Sequence, residues 1–299
     1  MKPAAAERNA WTGLAVLTVI WSFGWTTMKV ATRYSGPFTF SAHRYIVGTV
    51  VLFALMVLRR DRLTPTPWLP TILVGLTQTA GFQALEQWAL MSGGVGKSVL
   101  LAYTMPFWVV PLAWWWVREK PGRRRWVCIA VAALGFVCVV EPWRPLGTPY
   151  SILLALAGGL VWATGTVISK RLFVQHPEIS PFRLTAWQML IGTLALIILA
   201  LGARERPVEW NNLYVGAVLY NGVLSSAVAW VLWAVIIRRL SASVAGLTSL
   251  AVPVLGVLFA WALLDDRPSD IEGFGIVLIA IALLALNLWA RPQQPTRPA

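Results

Sequence analysis

The stretch PFTFSAHRYIVGT, residues 37–49, returns 144 positions later as PFRLTAWQMLIGT, residues 181–193. Five of the thirteen positions are identical, namely the opening Pro-Phe, one Ala and the closing Gly-Thr, and each copy runs on into a long apolar segment. Both copies open with proline, which a helix tolerates in its first turn. This repeated stretch predicts a chain built as one half duplicated, with a helix starting at each copy.

The composition indicates a membrane protein. The 299 residues are 58% hydrophobic and 12% charged, whereas a soluble domain carries roughly 25% charged residues. A mean hydropathy of +0.67 and 18 tryptophans agree, because indole rings favour membrane interfaces. Two cysteines, Cys128 and Cys138, share one apolar segment, which offers no disulfide framework and no cysteine metal site. We therefore expect neither a cofactor nor a metal.

Apolar segments long enough to cross about 30 Å of hydrocarbon recur along the chain. We predict ten spans, at residues 10–30, 38–58, 68–91, 97–117, 124–141, 150–171, 182–202, 211–235, 242–264 and 271–290. The predicted fold class is an all-α membrane protein of ten transmembrane helices arranged as two inverted five-helix repeats. The first repeat takes residues 1–145, the second takes residues 146–291, and residues 292–299 form a disordered tail.

The basic residues fall mainly on one side of this arrangement. Ten spans place both termini on the same side, which receives 17 of the 25 Lys and Arg residues but only 4 of the 12 acidic ones. The positive-inside rule makes that side cytoplasmic. Orientation thus accounts for the net charge of +13, and we expect no nucleic-acid partner. The expected location is the bacterial cytoplasmic (inner) membrane, in the lipid bilayer, with both termini cytoplasmic.

The similarity of the halves extends beyond the repeated stretch. The equivalent residues are Trp21, Gly24 and Lys29 with Trp162, Gly165 and Lys170; Gly75 and Gly81 with Gly216 and Gly222; Pro106 with Pro253; and Glu119 and Pro121 with Asp266 and Pro268. Because five spans is an odd number, the second half must enter the membrane from the opposite face. Many secondary transporters are inverted repeats of this kind, with a substrate site near the membrane midplane.

Two short motifs occur once in each half: W-x-x-G in its first span, and a proline followed by an acid and a second proline, at Pro106–Pro121 and Pro253–Pro268. Their order over ten spans resembles the drug/metabolite transporter superfamily, and within it the EamA-like branch. The abundance of tryptophan is similar to that of the aromatic amino-acid exporters of this branch. The resemblance implies alternating access without an ATPase module and export of small metabolites. The acids differ between the halves, Glu119 against Asp266 beside Asp265, so neither receives a role.

Ionisable residues inside spans are costly and point to function. Glu86 lies roughly 7–8 Å inside the end of the third span, on one helical face with Thr79 and Gln83. His43 titrates near neutral pH, and the side chain of Arg44 is long enough to reach the outer interface. A structural carboxylate and a packed histidine are the alternatives for Glu86 and His43.

Deep aromatic residues complete the predicted site. Indole rings stack on apolar groups or attract an ammonium, although packing against lipid or protein is the alternative for each one. The predicted substrate-binding residues are Trp21, Trp25, His43, Gln83, Glu86, Tyr103, Trp162 and Asn221. Pro106 and Pro253 interrupt the hydrogen bonds of spans 4 and 9 and are the predicted hinges, with a static bend as the alternative.

The predicted function is a secondary transporter, not an enzyme, that acts as a monomer and exports small amphipathic metabolites by alternating access. Aromatic and other hydrophobic amino acids are the first substrate class, with Glu86 suited to the ammonium. A broad drug or nucleobase exporter, a channel and a membrane-embedded enzyme are the alternatives. Residues 92–98, SGGVGKS, resemble a phosphate loop, but Met91 stands where that motif needs glycine, so no nucleotide is expected.

Overall fold

The structure is a computed structural model that describes residues 3–92, 100–264 and 267–289, and within these residues every regular element is helical. Ten helical spans correspond to the ten predicted ones. In order they are Pro3–Ala31; Pro37–Leu58; Trp68–Val74 with Gly75–Gly81 and Phe82–Met91; Leu101–Thr104 with Met105–Trp116; Arg123–Val140; Pro149–Gln175; Pro181–Gly202; Asn212–Leu219 with Tyr220–Val228 and Ala229–Arg239; Ala242–Thr248 with Ala251–Leu264; and Asp270–Trp289. The glycine-rich loop, Asp265, Asp266 and the predicted tail lie outside the described residues.

By length and composition, six of the described helices are apolar enough to cross a membrane. They are Pro37–Leu58, Pro149–Gln175, Pro181–Gly202, Asn212–Arg239, Ala242–Phe259 and Asp270–Trp289. Spans 3 and 4 are divided into short segments, and span 5 opens on three arginines at residues 123–125, which lowers its hydropathy. The chain is therefore an all-α membrane protein.

The two copies of the repeated stretch meet at the centre of the bundle. Each begins a helix at its proline, Pro37 and Pro181, after an extended residue. Their closing residues, Thr49 and Thr193, join their hydroxyl oxygens in a hydrogen bond of 2.9 Å. A contact between two equivalent residues is the contact expected where a two-fold axis relates two copies.

The contacts between spans also keep their pattern when the first half is exchanged with the second. Span 1 packs on spans 8 and 9, as span 6 packs on spans 3 and 4. Span 2 packs on spans 7 and 8, as span 7 packs on spans 2 and 3, and span 5 pairs with span 10. The extensive contacts thus join one half to the other and are reproduced when spans 1–5 are exchanged with spans 6–10. This arrangement supports the predicted inverted repeat.

Glycine contacts correct one part of the repeat alignment. A Cβ on Gly75 would lie 2.6 Å from the carbonyl oxygen of Gln188, and one on Gly222 would lie 2.9 Å from that of Arg44. Because Arg44 and Gln188 are equivalent in the repeated stretch, Gly75 corresponds to Gly222. The sequence alignment with Gly216 is wrong by six residues, and Gly216 has no neighbouring atom within 4 Å of a Cβ position.

Spans 3 and 8 each contain a π-helical segment, Gly75–Gly81 and Tyr220–Val228, at equivalent positions. Such wide turns are frequent at functional sites. The glycines of the repeated stretch press against them: a Cβ on Gly48 would lie 3.0 Å from the carbonyl oxygen of Gly222, and one on Gly192 would lie 2.8 Å from that of Gly75. Small residues therefore let the backbones of these four spans approach closely.

Loop contacts divide between two faces of the bundle. Glu205, in the loop after span 7, accepts hydrogen bonds from the backbone N–H groups of Phe38 and Thr39 at the start of span 2. At the other face Arg238, at the end of span 8, donates to the carbonyl of Ile179 in the loop before span 7. Successive connections therefore alternate between faces, as ten crossings require.

A buried ion pair holds the second of these faces together. Lys170 Nζ donates to the carbonyls of Ile237 at 3.0 Å and Leu240 at 2.7 Å, and lies 3.9 Å from Glu119 Oε1. Glu119 Oε2 accepts the N–H of Ala242 at 2.8 Å. Burial raises the pKa of the Glu119 carboxyl, while the Lys170 charge and the Ala242 N–H oppose that change. The pair joins the loop after span 4 to spans 6, 8 and 9.

We expect Gly192→Ala to lower the melting temperature in detergent, measured by tryptophan fluorescence. The added methyl would meet Thr79 and the Gly75 carbonyl, and overpacking costs about 1–3 kcal/mol. Gly216→Ala is the matched control because its methyl meets nothing within 4 Å. Equal melting temperatures for the two variants would contradict the close contact between spans 7 and 3.

We expect Lys170→Met to destabilise the protein by roughly 3–5 kcal/mol, because it leaves the Glu119 carboxylate buried without its partner and two carbonyls without their donor. The neighbouring Arg171 is exposed, and Arg171→Met serves as the control. Thermal unfolding of both purified variants in the same detergent measures the difference. A melting temperature for Lys170→Met equal to that of the control would show that the ion pair does not stabilise the fold.

Candidate functional site

A cavity of about 50 Å³ lies between the two halves. Spans 1, 2, 3, 4, 6 and 8 line it. Six of the eight predicted site residues line it: Trp21, Trp25, Gln83, Tyr103, Trp162 and Asn221. The others in the lining are Gly24, Met28, Arg44, Tyr45, Phe82, Ser225 and Trp230.

One wall of the cavity belongs to a tryptophan cluster formed by Trp21, Trp162, Trp230 and Trp233. Their ring centroids lie 5.4–6.3 Å apart, mostly edge to face or tilted. Phe82 extends the cluster, with its ring centroid 4.8 Å from that of Trp162. Edge-to-face packing is the arrangement that aromatic quadrupoles favour, so the cluster forms a stable apolar wall.

Hydrogen bonds fix the orientation of two indole rings beside the cavity. Trp25 Nε1 donates to the Tyr103 hydroxyl at 2.8 Å, and Trp230 Nε1 donates to the Tyr45 hydroxyl at 3.2 Å. A buried N–H that already has an acceptor leaves the ring face free for other contacts. These rings are therefore held in place before any ligand enters.

The π-helical segment of span 8 supplies polar atoms to the cavity. Asn221 Nδ2 donates to Thr27 Oγ1 at 2.8 Å and to the Ala217 carbonyl at 2.9 Å. Its Oδ1 and the hydroxyl of Ser225 are buried without a hydrogen-bond partner in the described structure. Buried polar atoms normally have partners, so these two are available to a ligand.

Arg44 differs most from its expected place. It does not extend to the interface: only 7% of it is exposed, and it lines the cavity. Its Nη2 donates to Gln83 Oε1, its guanidinium carbon lies 4.8 Å from the Tyr45 ring centroid, and its Nε has no partner among the described residues. The structure thus adds a buried cation to the site.

Glu86 is buried one turn beyond Gln83, only 2% exposed, and stands outside the cavity lining. Neither carboxylate oxygen has a hydrogen-bond partner within the described part of the chain. Arg44 and Tyr103 lie within electrostatic range. Glu86 is therefore a buried acid near Arg44 that does not contact it directly.

The structure places His43 away from the cavity lining. Its Nδ1 lies 2.8 Å from the Tyr214 hydroxyl, and its ring stacks on Trp210 at 5.5 Å between centroids. Trp210 lies in the loop before span 8, and Tyr214 lies in the first turn of that span. His43 and Arg44 are adjacent in one helix and so point about 100° apart, which is why only Arg44 reaches the cavity.

The two predicted hinge prolines occupy equivalent breaks. Pro106 stands in the first turn of the helix Met105–Trp116, after the 3₁₀ turn Leu101–Thr104. Pro253 stands in the first turn of Ala251–Leu264, after the short helix Ala242–Thr248. A proline cannot donate to the preceding turn, so both spans are interrupted there. Motion at these breaks stays a prediction.

Sequence reasoning missed seven lining residues, and the sequence held a signal for some of them. Met28 follows Trp21 and Trp25 at helical spacing on one face, and Phe82 is adjacent to Gln83. Trp230 is different, because the π-helical segment before it alters the number of residues per turn. The α-helical period therefore does not predict which side of span 8 faces the cavity.

Comparison with known proteins agrees with this architecture. The profile of the EamA-like transporter family matches the chain twice, at residues 10–141 and 149–288. The chain belongs to the EamA-like transporter family. The two matches correspond to the two halves that the packing of the spans relates.

Relatives align over almost the full chain of this EamA-like protein. The uncharacterised transporter YoaV of Bacillus subtilis (strain 168) is 26% identical over 278 residues, covering 91% of this chain and 94% of its own. The uncharacterised inner membrane transporter YedA of Escherichia coli (strain K12) is 24% identical, covering 94% and 92%. A crystal structure at 21% identity covers 95% of this chain and 98% of its own with a TM-score of 0.80, which shows the same fold.

Proposed function

We propose that this protein is a secondary transporter of the cytoplasmic membrane that exports hydrophobic and aromatic amino acids by alternating access. The observation that carries the proposal is the composition of the cavity wall. An aromatic cluster around Trp162 lies on one side, and Arg44 lines the cavity with the unpartnered polar atoms of Asn221 and Ser225, while Glu86 is buried one turn beyond Gln83, outside the lining. Such a wall matches a small solute with an apolar body and a charged head.

The size of the cavity supports alternating access. About 50 Å³ accommodates a few water molecules, far less than the roughly 300–1,000 Å³ of typical ligand pockets. An amino acid therefore enters only when the spans around the cavity move apart. The interruptions before Pro106 and Pro253 are places where such movement costs few backbone hydrogen bonds.

Counterflow in proteoliposomes tests the substrate class. Vesicles loaded with unlabelled phenylalanine are expected to accumulate labelled phenylalanine saturably, and leucine, tryptophan and tyrosine are expected to compete better than aspartate or lysine. Protein-free liposomes are the control. Competition by nucleobases or cationic drugs in place of amino acids would point to the other exporter class, and flux without saturation would indicate a channel.

Glu86 is the proposed partner of the substrate ammonium. We expect Glu86→Gln to reduce phenylalanine counterflow about tenfold or more, because a hydrogen bond to a charged group contributes roughly 1.5–3 kcal/mol. Glu178 is an exposed acid in the loop after span 6, and Glu178→Gln is the matched control. Undiminished counterflow by Glu86→Gln at equal reconstitution would remove this residue from the mechanism.

A further inference from the structure

We propose that Arg44 anchors the carboxylate of the transported solute, with Gln83 holding its place when the site is empty, so that the protein discriminates free acids from their amides and amines. This inference rests on the proposed function. It adds the residue that recognises the carboxylate of the substrate.

Arg44 has the properties of a binding group more than those of a packing group. A guanidinium stays charged and offers five N–H donors in a planar fork that fits a carboxylate. Here it is almost fully buried and lines the cavity, while Nε has no partner in the described chain. A cation buried at membrane depth with unused donors is costly unless something binds it.

The neighbours of Arg44 leave its planar guanidinium group accessible from the cavity. Gln83 accepts from Nη2 as a neutral amide. A carboxylate outcompetes it because it adds the attraction of opposite charges and can accept two parallel hydrogen bonds from the guanidinium. The face of Tyr45 covers the guanidinium from one side. Glu86, the acid within electrostatic range, forms no direct hydrogen bond with it. A zwitterion therefore meets the Arg44 cation at the cavity, with the buried acid Glu86 outside the lining.

The repeat shows that this charged arrangement is not a requirement of the fold. With Gly75 equivalent to Gly222, the counterparts of Arg44, Gln83 and Glu86 are Gln188, Trp230 and Trp233. In the second half an amide and two indoles are buried at these positions. At these positions the first half therefore carries the charged groups and the second half carries aromatic ones. This polarity orients a solute with its carboxylate towards Arg44 and its apolar group towards the tryptophan cluster.

The test compares competitors of labelled phenylalanine counterflow by the wild-type protein. Phenylalanine and 3-phenylpropionate keep the carboxylate, whereas phenylalaninamide and phenethylamine lack it. We expect the amide to compete about tenfold or more weakly than phenylalanine, because it leaves the cation without an anion. We also expect 3-phenylpropionate to compete better than phenethylamine. Equal competition by amide and acid would overturn the role of Arg44 and leave the proposed function standing.

Variants of Arg44 test whether this residue causes the preference for acids over amides. Arg44→Gln installs the residue of the second half and is expected to abolish the preference for the acid over the amide, while Arg44→Lys keeps the charge and a reduced preference. Arg59→Gln, at the exposed end of the same span, is expected to behave as the wild type. If Arg44→Gln does not fold, the preference for the acid over the amide is compared between the wild type and Arg44→Lys, and this comparison tests the inference. A full preference in a folded Arg44→Gln, or no phenylalanine counterflow by the wild type, contradicts the inference, and the second result also contradicts the proposed function.

Discussion

The close approach of spans 2 and 7 is the contact on which the remaining structure depends. Inside a bilayer no hydrophobic force drives helices together, so small residues and interhelical hydrogen bonds must do so. The Thr49–Thr193 hydrogen bond and the adjacent glycines provide both. Because Gly48 and Gly192 each press on the π-helical segment of a neighbouring span, the same contact sets the position of spans 8 and 3. Asn221 and Ser225 of the cavity stand on one of these segments, and Gln83 follows shortly after the other.

The duplicated sequence accounts for the shared helical framework of the two halves, and the residues that differ between the halves account for the chemistry of the cavity. The two halves keep Gly48 and Gly192, Gly75 and Gly222, and the wide turns where spans 2 and 7 meet spans 8 and 3, since a larger side chain would separate the spans. At the cavity they differ, with Arg44, Gln83 and Glu86 opposed by Gln188 and two tryptophans. A symmetric cavity would bind an amphipathic molecule equally well in either direction. In the proposed function, the divergence of these few positions gives the bound solute one orientation.

Two sets of buried charges illustrate the difference between structural and functional use. Lys170 donates to two carbonyls and faces Glu119, which in turn accepts a backbone N–H, so this pair is largely satisfied and joins several spans. Arg44 and Glu86 retain atoms without partners in the described structure. Desolvation makes unpartnered charges expensive. Such a cost is explained when a ligand provides the missing partner, as we propose here.

The sequence by itself determined the ten spans, their duplication and six of the thirteen residues that line the cavity, because apolar length, a recurring stretch and helical spacing are local properties of a chain. Tertiary structure alone decided the register of spans 3 and 8, the burial of Arg44 and the position of His43. Helical spacing fixes which side chains share a face, but not which neighbour that face meets. The π-helical segments also shift the phase of the helix, and the contacts of Gly75 and Gly222 with the repeated stretch establish the true correspondence.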